Sequence, residues 1–169
     1  MLAKLLLGTW FLCAPGAAFG GDSIGAASTT AETTVYEYGP TGSVGVELGI
    51  AIPSSTVSSR SRFSLYFSLR NSGTADSRWY ITGPLSVSFA DSAGRKVDFE
   101  ESASDVFSLN SDLVRLKPGA VDLLPFSDYY TASTPGNYSA TATEVLYDGH
   151  RNVVARLRSG SIHFTVVGT

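Results

Sequence analysis

The sequence predicts an all-β sandwich of antiparallel strands, about seven to eight in number. Several segments alternate large apolar residues with small or polar ones, and this period of two places the apolar side chains on one face of a strand. The stretch Thr134–Thr143 opens with the turn-forming pair Pro135-Gly136 and then alternates in the same way. Beyond residue 20 the chain contains no amphipathic segment of helical period and useful length. Strands without a helical layer must bury their apolar faces against one another.

The first twenty residues have the pattern of a cleavable export signal. Lys4 supplies a positive charge, Leu5–Leu12 is apolar, and the small residues Ala18 and Gly20 precede a predicted cut after Gly20. The apolar run is shorter than the ~20 residues that a bilayer requires, so no stable membrane insertion is expected. The sequence therefore predicts a signal peptide at residues 1–20 and a periplasmic or secreted protein.

Cys13 is the chain's single cysteine. A lipoprotein signal would use it, but residues 10–12 lack the small side chains that such a site needs. Cleavage after Gly20 removes Cys13 and Lys4, so the net charge changes from −3 to −3 − 1 = −4, and no disulfide can form. A domain of this length buries enough surface to fold without one, and the absence favours a bacterial exported protein. An acidic chain with no lysine cluster argues against a nucleic-acid partner.

Residues 21–43 are rich in Gly, Ala, Ser and Thr, which indicates a flexible leader before one folded domain at residues 44–169. Within the leader, Thr34–Tyr38 has strand-like composition and ends at Gly39-Pro40. Two interpretations are open. The segment is either a short edge strand or arm on the chain's own sandwich, which is favoured, or a donated strand that pairs with a partner's sheet.

The strands of the domain follow one another between turn signals such as Asn71-Ser72-Gly73 and Asp91–Gly94. Ser159-Gly160 is expected to form a bulge. Glu100–Asn110 is expected to be an acidic loop or one helical turn, because it lacks the ligand pattern of a calcium loop. The segments with strand-like patterns, some of them too short to count as principal strands, are Val44–Ile52, Phe63–Leu69, Trp79–Ile81, Leu85–Phe89, Val97–Phe99, Leu113–Leu116, Val121–Leu124, Tyr138–Leu146 (the central strand), Val153–Leu157 and Ile162–Val166.

The step Gly136-Asn137-Tyr138 resembles the tyrosine corner of immunoglobulin-like sandwiches, where the ring packs in the core and the hydroxyl binds backbone upstream. The turn Leu116–Gly119, an apolar strand and this step are together similar to the later half of bacterial immunoglobulin-like and fibronectin III-like domains. The layout is also similar to the BsuPI-type proteinase-inhibitor domain. The resemblance spans Phe63–Val167 and implies a single immunoglobulin-like sandwich without the bridging cysteines. It places Trp79 in the core; the competing interpretation is a solvent-facing ligand contact.

Catalytic and cofactor signatures are missing from the sequence. Only His150 and His163 could supply an imidazole, and neither stands in a metal-binding spacing or near a Gly-x-Ser-x-Gly elbow. No glycine-rich phosphate loop leads from a strand into a helix. Asn137-Tyr138-Ser139 matches a glycosylation sequon that we attribute to chance. The sequence thus predicts no enzyme, no metal and no cofactor.

These observations favour a non-enzymatic binding module that acts through protein–protein contact. Tyr129, Tyr130 and Tyr147 lie in or near predicted turns, where aromatic residues either anchor interfaces or close the end of the sandwich. One alternative is a proteinase inhibitor of BsuPI-like layout, which would present a rigid loop. Another is a carbohydrate-binding module, which needs a planar row of exposed aromatic residues.

The candidate partner-binding site is the tip between the strands Tyr138–Leu146 and Val153–Leu157. It comprises Tyr147, Asp148, His150 and Arg151. Short polar and aromatic connections between rigid strands lose little entropy on binding, which favours a binding role. The competing interpretation is a plain Asp-Gly hairpin turn, and the arm Val35–Tyr38 is the next candidate for a binding surface.

Overall fold

The computed structural model describes residues 34–81, 85–102 and 112–168. The predicted signal peptide, the Gly83-Pro84 turn and most of the predicted Glu100–Asn110 loop lie outside these residues. Within the described ranges the chain forms strands joined by turns and loops. No helix there is long and apolar enough to cross a membrane.

Two sheets contain all the strand segments of the described chain. The segments are β1 (Glu37–Tyr38), β2 (Val46–Ala51), β3 (Thr56–Ser58), β4 (Arg62–Asn71), β5 (Ser77–Ile81), β6 (Ser86–Asp91), β7 (Lys96–Val97), β8 (Glu100–Ser102), β9 (Asp112–Leu116), β10 (Val121–Thr131), β11 (Gly136–Tyr147), β12 (Val153–Arg158) and β13 (Ile162–Val167). Sheet A has the order β1-β2-β4-β10-β8, and sheet B follows the path β3-β13-β11-β5-β9 with β6, β7 and β12 attached beside it. Every pairing is antiparallel except that of β3 with β13.

The alternating pattern of β2 and β4 is confirmed as the inner face of sheet A. The two strands pair antiparallel, with Leu48 opposite Leu69. Each fully buried side chain of this size contributes about 1.5–3 kcal/mol relative to an exposed one. The buried apolar residues of the two strands are Val46, Leu48, Ile50, Phe63, Leu65, Phe67 and Leu69.

Strand β11 is the centre of sheet B, as predicted. Along one edge it pairs with β13 and then with β12, and along the other with β6 and then with β5. The predicted bulge is confirmed at the break between β12 and β13, where the Ser159 hydroxyl accepts the Ala142 N–H at 2.8 Å. Nine described segments have at least five residues. Because β12 and β13 are halves of one broken strand, this makes 9 − 1 = 8 principal strands.

The tyrosine corner is confirmed in atomic detail. The Tyr138 hydroxyl donates to the Thr134 carbonyl at 2.9 Å, and the ring meets Phe99 edge-on with centroids 5.0 Å apart. A Cβ atom on Gly136 would lie 3.3 Å from the Tyr138 hydroxyl, which explains the glycine two residues before the tyrosine. Two packed sheets with this corner form an immunoglobulin-like β-sandwich, and its described residues contain no cysteine.

Two expectations for the middle of the chain were wrong. Glu100–Ser102 is not loop or helix but the edge strand β8, which pairs with β10 through backbone groups despite its acidic side chains. Strand β10 does not end near Pro125; it continues to Thr131, with a register shift between Leu123 and Ser127 that accommodates the proline. Tyr129 and Tyr130 therefore lie within a strand and not near turns.

The segment before the domain contributes a short strand to the chain's own sheet. Tyr38 of β1 pairs with Gly49 of β2. The Glu37 carbonyl also accepts the N–H of Gly160 at 3.1 Å, so β1 lies against the break between β12 and β13. On β5, Trp79 packs against the core as predicted, and its indole nitrogen is buried without a hydrogen-bond partner among the described residues.

Candidate binding surface

The tip of the β11–β12 hairpin is built around the Asp148 carboxylate. One of its oxygens accepts the N–H groups of His150 at 2.8 Å and Asn152 at 2.9 Å, and the other accepts the Asn152 side-chain amide at 2.9 Å. These bonds, the Asn152 side-chain bond foremost, lower the pKa of Asp148. Arg151 completes the turn with a positive φ of 65°. Asp148 therefore shapes the turn and has little capacity left for a ligand.

The structure places the other predicted site residues on the outer side of this tip. Tyr147 is half-buried and pairs with Tyr80 of β5, while His150 and Arg151 are exposed. The Tyr80 ring reaches to 4.0 Å from the position of a Cβ on Gly149. The hairpin lies between the two strands that the sequence predicted, but sequence reasoning missed its neighbour Tyr80, because pairing between β5 and β11 cannot be read from either strand alone.

A second surface, which the sequence analysis did not single out, covers the outer side of sheet A. We call it the tyrosine face and define it by Tyr36, Tyr38, Tyr66, Val121, Leu123 and Tyr129. The Tyr36 and Tyr38 rings have centroids 6.3 Å apart. Burial raises the pKa of Tyr36, and the nearby phenols of Tyr38 and Tyr66 raise it further. These contacts connect the arm to the middle of the sheet.

Tyr38 lies flat on the sheet and is fixed from both sides. A Cβ on Gly49 would fall 2.8 Å from the Tyr38 ring, so glycine is required for the ring to lie this close. The Arg70 guanidinium covers the other side of the ring, 3.9 Å from its centroid. The Ser68 hydroxyl also donates to the Tyr38 hydroxyl at 3.0 Å. The ring joins β1 to β2 and β4 and forms a rigid part of the face.

An ion pair holds Arg70 in that position. Its Nε donates to Glu47 at 2.8 Å, and Thr41 donates to the same carboxylate at 2.6 Å. Burial alone would raise the pKa of Glu47, but the hydrogen bonds from Thr41 and Arg70 outweigh it, and the pKa is lowered. Because Glu47 and Arg70 are direct cross-strand partners, their charges balance within the sheet.

The remainder of the tyrosine face is apolar and open to solvent. Tyr66 is 39% exposed, Tyr129 40%, Val121 50% and Leu123 61%. All four lie on the neighbouring strands β4 and β10, and the Arg62 guanidinium lies 5.8 Å from the centroid of the Tyr129 ring. The strands β1, β2, β4 and β10 contain no lysine. A tyrosine in the outward register of β4 was the available signal, but the strand position of Tyr129 was not evident.

The two histidines of the chain lie at separate places on sheet B. His163 points outward from β13, opposite Ser139 of β11, and His150 stands at the hairpin tip on the same sheet. No group of three His, Cys, Asp or Glu side chains in the described ranges is arranged to hold a metal ion.

No protein-family model and no curated protein matches the sequence. Among solved structures, the C-terminal domain of wzt is similar at 10% identity and a TM-score of 0.47, covering 81% of this chain and 80% of that one. The ASH/PapD-like domain 7 of human CEP192 is similar at 14% identity and a TM-score of 0.38, and the match covers 78% of this chain and 90% of that one. A β-glucosidase, EmGH1 of Erythrobacter marinus, is similar at 15% identity and a TM-score of 0.38, but the match covers only 16% of that chain. Identities and TM-scores this low support no conclusion about function.

Proposed function

We propose that this chain is an exported, non-enzymatic binding module whose tyrosine face contacts a protein partner. The observation that carries the proposal is the clustering of Tyr66, Tyr129, Val121 and Leu123, all exposed, on two adjacent strands of one sheet. Single exposed apolar residues are ordinary on a soluble domain, whereas a contiguous group marks an interaction surface.

The composition of the face favours a protein over a glycan. Tyrosine and arginine are the residue types enriched at protein interfaces, and lysine is depleted there. A sugar ring needs a free aromatic face on which to stack, but the Tyr38 ring is covered by Gly49 on one side and by Arg70 on the other, which leaves Tyr66 and Tyr129 as the exposed rings of the face. The strands also hold the side chains in place before binding, which reduces the entropy lost on association.

A photo-crosslinking amino acid at position 129 tests the proposal in the cells that export the protein. We expect a covalent adduct whose added mass is that of a protein. Position 167 provides a matched control, because Val167 is 39% exposed and belongs to β13 of sheet B, away from the hairpin tip. Adding Tyr66→Ala to the position-129 protein is expected to reduce the adduct without unfolding the domain.

Three results would contradict the proposal. The first is an adduct formed from position 167 and absent from position 129. The second is an adduct at position 129 that is glycan and contains no protein, which would favour a carbohydrate-binding module. The third is an equal yield with and without Tyr66→Ala, which would place the contact elsewhere on the domain.

A further inference from the structure

The outer face of sheet B carries an unbalanced set of positive charges. Arg78 of β5, Arg115 of β9 and Arg156 and Arg158 of β12 are all exposed and alternate with buried residues. The side chains described on β5, β9, β11 and β12 include a single acid, Glu144, which is buried with the inward-facing residues of β11. The whole chain has a net charge of −3, so this concentration does not follow from composition.

Two of these arginines are direct cross-strand neighbours. Arg78 is the register partner of Arg115 in the β5–β9 pair. Side chains in this relation have Cβ atoms about 4.5–5.5 Å apart, and like charges there destabilise the sheet. Asp76 lines one surface pocket together with both arginines, but no ion pair joins Asp76 to either of them in the described part of the chain. On sheet A, the equivalent relation pairs Glu47 with Arg70.

Protection of a sheet edge does not account for the pair. Basic residues on edge strands prevent association between sheets, and β9 stands at the end of the path through sheet B. Strand β5, however, stands between β9 and β11 in the order of sheet B; it pairs with β9 along its length and with β11 at Tyr80 and Ile81. Arg78 therefore does not lie on the terminal strand, and protection of that strand needs only Arg115. An anionic ligand would relieve the repulsion, because its charge attracts both guanidinium groups.

We propose that this outer face, which we call the arginine face and define by Arg78, Arg115, Arg156 and Arg158, binds a protein segment that carries separated carboxylates. The guanidinium fork matches a carboxylate in two parallel hydrogen bonds. The surface is independent of the tyrosine face, which lies on the other sheet, and its assignment rests on separate observations.

The spacing of the four arginines favours an acidic peptide over other anionic polymers. The Arg78–Arg115 pair and the Arg156–Arg158 pair are separated by roughly 15 Å, from the spacing of strands and residues in a sheet. Outward-facing Tyr80 and Tyr147 lie between them and are uncharged. Nucleic acids and uronate glycans carry charge at every repeat. A peptide with acidic residues spaced by uncharged ones fits two discrete basic pairs better.

Binding of a fluorescein-labelled peptide, in which aspartate pairs are separated by glycine and serine, tests the proposal by anisotropy on the exported form of the protein. We expect the affinity to fall as salt is added, because screening weakens contacts between exposed charges. Arg78→Gln/Arg115→Gln is expected to weaken binding about tenfold, because two charge-assisted contacts are lost. The control Arg95→Gln/Lys96→Gln removes the same charge from the β6–β7 turn and is expected to leave the affinity nearly unchanged.

Equal weakening by both double variants would overturn the proposal, since it would reduce the effect to net charge. Tighter binding of single-stranded DNA or polygalacturonate than of the peptide would overturn the assignment to a protein segment. Denaturant unfolding gives a check that needs no ligand. At low salt, Arg115→Gln is expected to resist denaturant better than the wild type because the repulsion is gone, and lower resistance would remove the electrostatic argument. None of these results depends on cross-linking through position 129.

Discussion

Glu144 makes the stability of the sandwich depend on pH in an unusual direction. Its side chain is 4% exposed and lies on the inward register of β11 between Ala142 and Leu146. One carboxylate oxygen accepts the Val145 N–H at 2.8 Å, and the other has no partner among the described residues. Burial raises the pKa of Glu144 from 4.5 to about 7, against the lowering effect of the Val145 bond. The charged form is therefore the unfavourable one.

The sign of the effect follows from proton binding. Between pH 4.5 and 7 the native state holds a proton on Glu144 that the unfolded chain has released, so the free energy of unfolding falls as pH rises. Each unit of pKa difference corresponds to about 1.4 kcal/mol, which makes the total loss roughly 3 kcal/mol across this range. Below pH 4.5 the contribution is fully present, and above pH 7 it is fully lost.

Replacing Glu144 with Gln removes the titration and keeps the shape of the side chain. We expect Glu144→Gln to match the wild type near pH 4.5 and to exceed it at pH 8 by up to about 3 kcal/mol in free energy of unfolding. Urea unfolding at a series of pH values measures this difference. The exposed Glu101 provides a control, because Glu101→Gln is expected to follow the wild-type profile. Parallel profiles for Glu144→Gln and the wild type would refute the reasoning.

Three further predictions concern the tyrosine corner, the arm and export. Tyr138→Phe is expected to lower the free energy of unfolding by about 1 kcal/mol because the bond to Thr134 is lost, and Tyr138→Ala by about 3–5 kcal/mol as a large-to-small core change. Denaturant melts in which the alanine variant equals the wild type would exclude the corner as a stabilising element. Gly49→Ala is expected to lift the Tyr38 ring and expose the arm, which limited proteolysis before Gly39 detects; an unchanged cleavage rate would show that the ring does not hold the arm. Export with cleavage after Gly20 predicts an intact mass without Cys13 and melting that is indifferent to reductant, whereas a mature chain that retains Cys13 would contradict the predicted localisation.

The inner faces of both sheets were predictable because burial imposes a simple period. The alternation of Val46, Leu48 and Ile50 with smaller or polar residues indicates a strand without information from any other part of the chain. The corner was predictable for a similar reason, since Gly136 and Tyr138 make their contact within one short segment. Prediction failed on β10, where Pro125 suggested an end to the strand. A register shift instead lets the strand continue, and only the partner strand β4 determines that outcome.

The candidate binding surfaces were less predictable, because they consist of outward residues whose neighbours depend on strand register. Arg78 and Arg115 become a like-charged pair only when β5 and β9 are aligned, and a shift of one residue would turn one of them inward. Tyr66 and Tyr129 likewise share a face only because β10 continues past its proline and pairs with β4. The alternation of buried residues can be recognised within one strand. The neighbours of an outward residue, in contrast, depend on which strand pairs with its own and in which register. A sequence read segment by segment therefore locates the core of this sandwich before it locates the surfaces that we propose bind its partners.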